Sequence, residues 1–184
     1  MNFTPNTFRY DWFADIESEM AAVVPTNALR IVEVGSFEGR STVWFMQHCP
    51  MAELVAIDHF KGGADQSDLD TAFLLARFSA NTAKYADRIT VYKMDAWQAW
   101  RCLDSERYDV VFIDGSHEAF DVIHDLTEAY RVVRNGGIVI ADDYTWHNEK
   151  SDCPKVAIDM FAEQAKDRIQ ILRKTRLFVC KRLH

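Results

Sequence analysis

The sequence predicts an α/β fold: a single doubly wound, Rossmann-like domain with a mostly parallel, seven-stranded sheet that ends in an antiparallel pair of strands. The first observation is that short, continuous apolar runs alternate with amphipathic patterns as far as residue 142. Such runs are typical of parallel strands that helices cover on both faces. The second is that two later apolar runs, 169–174 and 177–182, lie close together in the chain. No crossover helix fits between them, so we expect them to pair antiparallel.

Each element follows from a local pattern in the chain. Strands are expected where continuous apolar runs stop at a glycine or a carboxylate, at 29–35, 53–58, 88–95, 108–114, 136–142, 169–174 and 177–182. Helices are expected where apolar residues recur every three or four positions, at 8–24, 39–49, 70–86, 96–103, 118–133 and 153–165. Pro25 ends the first helix, and a polar loop at 59–68 that carries two glycines is a candidate lid.

Composition favours one globular domain and excludes several classes of function. The 184 residues are 48% apolar and 27% charged, with no change of composition along the chain. We divide them into an N-terminal helical segment, 1–27, which is a lid or an interface, and a main domain, 28–184. The net charge of −7 without a basic run argues against a nucleic-acid partner. The chain also lacks an apolar run of membrane-spanning length, which is roughly 18 residues.

The expected compartment is the cytoplasm. The N-terminus has no positively charged region followed by an apolar stretch, so it does not resemble a signal peptide. The four cysteines are far apart and contain no CxxC pair, which is typical of reduced thiols and not of a disulfide framework or a zinc site.

The segment EVGSFEGRS, at 33–41, lies between the first predicted strand and the helix that follows it. At such a turn, glycines let a ligand approach backbone N–H groups at the start of a helix. The spacing is not that of GxGxxG. The alternative interpretation is a tight turn in which Gly35 and Gly39 adopt a positive φ without any ligand.

Two further carboxylates end the second and third predicted strands. Asp58 is placed to accept hydrogen bonds from a ribose diol, although turn residues of this kind are also common. Asp95 is placed to accept a hydrogen bond from an adenine amino group. It is equally placed to cap the helix that begins after it.

In this order, the motifs resemble those of the class I S-adenosylmethionine-dependent methyltransferases over about residues 28–145. They are EVGSFEGRS, AID, MDA, FIDGSH and GGIVIADDY, at 33–41, 56–58, 94–96, 112–117 and 136–144. More narrowly, the chain resembles the metal-dependent O-methyltransferases, both the catechol type and the enzymes that methylate macrolide sugars. The resemblance implies S-adenosylmethionine as cofactor. It also implies a set of residues bordering that cofactor: Glu33 and Gly35 at its methionine end, Ser41 at its carboxylate, Asp58 at the ribose, Asp95 and Ala96 at the adenine, and Asp114. Trp97 is a stacking partner for the adenine or a core aromatic.

Three carboxylates, Asp114, Asp142 and Asp143, follow the fourth and fifth predicted strands. Carboxylates beside a core are costly unless they are compensated, and oxygen ligands that converge suit a hard cation such as Mg²⁺. The resemblance implies that all three are metal ligands. Ordinary turn residues, or a helix cap at Asp114, are the alternatives.

The resemblance implies that Asp114 and His117 act in catalysis. His117 follows Asp114 by three positions, where the macrolide-sugar enzymes also carry histidine, and it is expected to be the general base.

The predicted reaction is metal-dependent O-methylation of a hydroxyl on a small molecule, such as a sugar or another natural product. One alternative is a methyltransferase-like domain that binds cofactor without turnover. A nicotinamide-dependent dehydrogenase is a further alternative, against which the missing GxGxxG argues. Tyr144, Trp146 and His147 are expected to wall the acceptor pocket or to pack on the core, and a homo-oligomer is one way to complete that pocket.

Overall fold

The computed structural model describes residue 4 and residues 6–63, 71–147 and 154–184. Its seven strands are β1 Arg30–Val34, β2 Glu53–Ile57, β3 Ile89–Tyr92, β4 Tyr108–Ile113, β5 Val133–Ala141, β6 Ile169–Lys174 and β7 Phe178–Arg182. Its α-helices are α1 Glu17–Val23, α2 Arg40–His48, α3 Leu74–Thr82, α4 Ala96–Ala99, α5 Ala119–Val132 and α6 Pro154–Gln164.

The strands form one sheet in the order β3-β2-β1-β4-β5-β7-β6. The pairs from β3 to β5 are parallel, whereas β7 runs antiparallel to both β5 and β6. The prediction of a mostly parallel seven-stranded sheet with an antiparallel ending is confirmed. After β3 the chain returns to the middle of the sheet and places β4 beside β1, so the carboxyl ends of these two strands flank the topological switch point.

Helices cover both faces of the sheet, as the continuous apolar strands predict. Alternate residues of each strand point to opposite faces, so Val111 packs with α4, α5 and α6 while Val110 and Phe112 pack with α1, α2 and α3. The N-terminal segment belongs to the second of these cores, because Ile16 and Met20 are completely buried there.

Several element bounds differ from the prediction for local reasons. The predicted helix 8–24 is a 3₁₀ turn, Trp12–Asp15, followed by α1; the side chain of Asp11 caps that turn by accepting a hydrogen bond from the N–H of Ala14. β3 is shorter than expected because it lies at the edge of the sheet and pairs only with β2. β5 begins earlier than expected, at Val133, which pairs with Tyr108 across a β-bulge.

Two other expectations can be compared with the described residues. Among them no helix is both long enough and apolar enough to cross a membrane. Cys49, Cys102 and Cys180 are free thiols. Cys153 and the part of the candidate lid beyond Gly63 lie outside the described residues.

Candidate active site

A cleft of about 850 Å³ lies at the carboxyl ends of the central strands, where a doubly wound sheet binds its ligands. Most of the residues singled out from the sequence line it: Gly35, Asp58, Asp95, Ala96, Asp114, His117, Asp142 and Asp143. Glu33 and Ser41 do not line it. The fold therefore brings side chains from five separate loops to one place.

Gly35 brings the end of β1 against the end of β4. Its φ is +86°, in the left-handed region, and a Cβ on this residue would lie 1.8 Å from the carbonyl oxygen of Asp114. No side chain fits there, so glycine is required for this backbone contact. The contact joins the predicted cofactor loop to a predicted metal ligand.

Glu33 is completely buried and lies beneath the turn after β1. Its Oε2 atom accepts hydrogen bonds from the hydroxyls of Ser36, at 2.8 Å, and Thr42. Ser41 is also buried and lies close enough to the carboxylate to lower the pKa of Glu33. Burial raises the pKa of Glu33 above its usual value in spite of these bonds. Within the described part of the chain the Oε1 atom has no hydrogen-bond partner, which is unusual for a buried carboxylate.

Asp58 and Asp95 lie on the opposite side of the cleft from the candidate metal ligands along the sheet, because β2 and β3 precede them. The Oδ2 atom of Asp58 accepts a hydrogen bond of 2.8 Å from the N–H of Phe37, and its Oδ1 accepts one from the N–H of Phe60. Both oxygens keep a second lone pair for a diol. The side chain of Asp95 makes no capping hydrogen bond to α4, so the capping alternative is not what the structure shows.

Asp114, Asp142 and Asp143 converge, with one oxygen from each lying within 4.8 Å of the others. Burial raises the pKa of Asp114 well above its usual value, and the carboxylates of Asp142, Asp143 and Glu33 raise it further. Burial and Asp143 also raise the pKa of Asp142. Ionising the three together is therefore unfavourable without a positive charge beside them. The donor set, three carboxylates with no nitrogen or sulfur, fits Mg²⁺ or a similar hard cation.

His117 lies beside this cluster. Its Nε2 is 2.8 Å from Oδ2 of Asp143, and its ring packs against Trp146 at 4.3 Å between centroids. A carboxylate without a proton can only accept a hydrogen bond, so in the tautomer that fits such a partner Nε2 donates in this contact and Nδ1 is the basic nitrogen. Asp143 itself adopts a positive φ of 62°, an unfavourable backbone conformation that turns its side chain toward the histidine.

The sequence did not indicate Arg176, which precedes β7 and lines the cleft. Its Nε lies 3.2 Å from Oδ1 of Asp142, and its second terminal nitrogen lies 3.4 Å from Oδ2. The other terminal nitrogen lies 3.2 Å from Oδ2 of Asp15, in the N-terminal segment. Nothing in the local sequence distinguishes this arginine from its neighbours Arg173 and Lys174, so only the folded structure indicates its role.

Aromatic side chains form two parts of the cleft wall. Trp12 and Phe37 lie near its mouth, with Tyr10 stacked on Trp12 at 5.1 Å. Trp146 lines the cleft on the side of His117. Tyr144 instead packs in the core, and its hydroxyl donates a hydrogen bond to Asp159. In this loop, therefore, Trp146 lines the cleft and Tyr144 packs on the core.

Trp97 is not a core aromatic. It lines the cleft with 38% of its surface exposed, donates its indole N–H to Asp121 and stacks on His124 at 3.6 Å. Its role as a stacking partner for the adenine stays a prediction.

Comparison with known proteins identifies the family. A family model described as a methyltransferase domain matches residues 32–144, which span the turn after β1, the carboxylates of the cleft and the candidate metal ligands. The chain belongs to this methyltransferase family. The match confirms the resemblance found in the sequence.

Individual methyltransferase relatives are distant. A catechol O-methyltransferase of Mycobacterium tuberculosis is 26% identical over 117 residues, which cover 63% of this chain and 48% of that protein. An uncharacterised protein of Acanthamoeba polyphaga mimivirus is 28% identical over 131 residues, covering 70% of this chain and 58% of that protein. The chain thus spans about half the length of the curated relatives it matches.

Solved structures share the fold of this methyltransferase. The O-methyltransferase TomG from Streptomyces achromogenes, which is involved in tomaymycin synthesis and was solved in complex with S-adenosylmethionine, matches 92% of this chain and 78% of its own. The TM-score is 0.67 and the sequence identity is 17%. At this identity the likeness supports the Rossmann-like fold and not the substrate.

Proposed function

We propose that this methyltransferase transfers the methyl group of S-adenosylmethionine to a hydroxyl of a small molecule, with the help of a divalent cation. The observation that carries the proposal is the convergence of Asp114, Asp142, Asp143 and His117 in the same cleft as Gly35, Asp58 and Asp95. This arrangement supports a cleft with two neighbouring halves, one proposed for the cofactor and one for the metal.

The cofactor half has complementary groups for each part of S-adenosylmethionine. The buried carboxylate of Glu33, with its unpartnered Oε1, suits the ammonium group of the methionine end, directly or through water, and Ser41 remains the predicted partner of the carboxylate. Asp58 offers two acceptor oxygens to the ribose. Asp95, Ala96 and the partly exposed ring of Trp97 suit the adenine.

In the metal half, Asp114, Asp142 and Asp143 would hold Mg²⁺ or another divalent cation. Such an ion would lower the pKa of an acceptor hydroxyl in the cleft. It would also relieve the repulsion that raises the pKa of Asp114. The side chain of Asp114 would therefore bind the ion, while its backbone carbonyl contacts Gly35 in the proposed cofactor loop.

His117 is the proposed general base. Its Nε2 lies 2.8 Å from Oδ2 of Asp143, a contact that would favour the tautomer with the proton on Nε2 and with Nδ1 as the proton acceptor. Trp146 restricts the rotation of the ring. Loss of the hydroxyl proton leaves an oxygen nucleophile that attacks the methyl carbon, and the carbon–sulfur bond breaks to give S-adenosylhomocysteine. Alignment of oxygen, carbon and sulfur supplies much of the acceleration.

The acceptor is proposed to be a small hydroxylated molecule with a flat or ring-shaped face. Trp12, Phe37 and Trp146 offer aromatic surfaces around the cleft, against which a sugar ring or an aromatic ring can stack. The packing of Trp12 favours the prediction that the N-terminal segment covers the site. A homo-oligomer that completes the pocket and a cytoplasmic location stay predictions.

A second candidate is a domain that binds cofactor without turnover. One observation favours it: both oxygens of Asp142 already accept hydrogen bonds from Arg176, and Oδ1 accepts a further one of 2.7 Å from the N–H of Asp143. A protein of this kind would bind S-adenosylhomocysteine but no cation.

Calorimetric titration with S-adenosylhomocysteine, with and without Mg²⁺, tests the proposal. We expect micromolar binding by the wild type and weaker binding by Asp58→Asn. Direct titration of Mg²⁺ should show binding that the pair Asp142→Asn and Asp143→Asn removes. Binding of S-adenosylhomocysteine without any binding of cation would support the second candidate. No binding of either would refute the proposal and make NAD the next ligand to titrate.

A further inference from the structure

Arg176 has an arrangement that the proposed chemistry does not by itself require. Its guanidinium contacts a candidate metal ligand, Asp142, which is only 7% exposed, and also Asp15, which is exposed on the N-terminal 3₁₀ turn. The backbone carbonyl of Arg176 accepts a hydrogen bond of 2.8 Å from the N–H of Tyr144, in the loop that carries Asp142 and Asp143. The arginine is therefore anchored to the metal loop at its backbone and shares its charge between two carboxylates.

We propose that Arg176 is a built-in counter-cation of the metal site, which competes with the divalent cation for Asp142 and so limits how tightly that cation binds. The inference rests on the proposed metal function. Without a cation, the guanidinium neutralises one of the three converging carboxylates. With one divalent cation bound, three carboxylates and one guanidinium leave the site neutral, so no uncompensated charge remains.

The contacts of Arg176 with Asp142 and Asp15 are both long, which makes competition feasible. The nitrogens lie 3.2 Å and 3.4 Å from the oxygens of Asp142, near the long limit for a hydrogen bond. Asp15 offers an alternative anion 3.2 Å from another nitrogen of the same group. A cation at Asp142 repels the guanidinium, which can move toward Asp15 without losing every partner.

Removal of Arg176 should change the charge of the site more than its geometry. Outer partners of metal ligands often strengthen binding because they orient the ligand, and their loss then weakens it. Here the N–H of Asp143 still donates to Oδ1 of Asp142 at 2.7 Å, and the surrounding core still buries this side chain. Orientation is thus largely retained, whereas one positive charge beside the cation is lost. The electrostatic effect should dominate.

Binding of Mn²⁺ to the full chain, followed by the electron paramagnetic resonance signal of the free ion, tests this proposal. Mn²⁺ prefers the same oxygen ligands as Mg²⁺. We expect Arg176→Met to bind Mn²⁺ on the order of tenfold more tightly than the wild type, because one repulsive unit charge is removed. Arg176→Lys keeps the charge and should stay within about threefold of the wild type. Asp15→Asn should bind Mn²⁺ more weakly, because among the described residues Asp142 is then the one carboxylate that the guanidinium contacts.

The matched control is Arg173→Met. Arg173 lies in β6, has 34% of its side chain exposed against 31% for Arg176, and pairs with Glu19 of the N-terminal segment at 3.5 Å. It does not contact the carboxylate cluster, so Mn²⁺ affinity should be unchanged. Asp143→Asn should lose most of the Mn²⁺ binding, which would locate the bound ion at the carboxylate cluster.

The outcomes separate this inference from the proposed function. If the wild type binds no Mn²⁺, both are refuted. If the wild type binds it and Arg176→Met binds equally or more weakly, only the counter-cation role is refuted. Should Arg176→Met fail to fold, Asp15→Asn still decides: it should bind Mn²⁺ more weakly than the wild type while Arg176→Lys stays close to it, and unchanged affinity in Asp15→Asn contradicts the shared guanidinium.

Discussion

Replacement of Gly35 by alanine should damage both halves of the cleft at once. The residue has a φ of +86°, which costs an alanine roughly 1–2 kcal/mol. The new Cβ would also lie 1.8 Å from the carbonyl oxygen of Asp114 and 2.5 Å from its carbonyl carbon. Backbone atoms cannot rotate away, so the two loops must separate, at the cost typical of overpacking, about 1–3 kcal/mol. We expect a total loss of roughly 2–5 kcal/mol in the free energy of unfolding.

Gly136→Ala is the control that separates the two costs. Gly136 has a similar φ of +75°, but the nearest atoms to a Cβ there are the ends of the Arg134 and Lys181 side chains, at 3.6 Å and 3.7 Å. It should lose only the conformational cost, about 1–2 kcal/mol. Urea unfolding of both variants measures the difference, and calorimetry should show weaker S-adenosylhomocysteine binding for Gly35→Ala alone. Equal losses of stability with unchanged cofactor affinity would refute the close-contact argument.

Three other substitutions address single groups. Asp58→Asn should weaken S-adenosylhomocysteine binding about tenfold or more, since a hydrogen bond to a charged acceptor contributes about 1.5–3 kcal/mol; calorimetry that shows full affinity would contradict the ribose assignment. His117→Ala should lower turnover of an acceptor about 10²–10⁴-fold and leave cofactor affinity unchanged; wild-type turnover would mean that another group removes the proton. Burial raises the pKa of Asp125 from 3.8 to about 6, so its folded form binds the proton more tightly and the wild type loses stability as the pH rises from about 4 to above 6. Asp125→Asn lacks this loss, which amounts to up to about 3 kcal/mol. Urea unfolding at pH 4 and pH 7.5 should therefore show a smaller change in the free energy of unfolding for Asp125→Asn than for the wild type. Equal changes in the two proteins would contradict the assignment.

The sequence predicted the fold well because the strongest signals were also the most local ones. Continuous apolar runs such as 108–114 are explained only by burial on both faces, and the structure buries β4 in that way. The predicted helix 8–24 failed as a continuous helix because periodicity does not register a capping side chain such as Asp11, which favours a 3₁₀ turn. The observed bounds of this helix therefore differ from the predicted ones where a side-chain hydrogen bond competes with the helical pattern.

For the site, the sequence predicted which carboxylates meet but not what surrounds them. Asp114 and Asp142 follow adjacent parallel strands, so their proximity follows from the topology. Arg176 precedes β7, the strand that runs antiparallel to β5, and its approach to Asp142 depends on the order of β5 and β7 in the sheet. Long-range pairings of this kind leave no periodic trace in the chain, so the compensating charge could not be predicted.

The arrangement of charges explains why so many carboxylates are tolerated at the ends of buried strands. Among the described residues, eight carboxylates line the cleft, and those of Asp121 and Asp125 come from α5: Asp58, Asp95, Asp114, Glu118, Asp121, Asp125, Asp142 and Asp143. Against these stand Arg176, already shared between two carboxylates, and two histidines, His59 and His117. A cleft of this charge disfavours an anionic acceptor and favours positive ligands, because desolvated carboxylates must be compensated. A sulfonium cofactor and a divalent cation each bring positive charge. The ligands of the proposed reaction would therefore compensate the negative charge at this edge of the sheet.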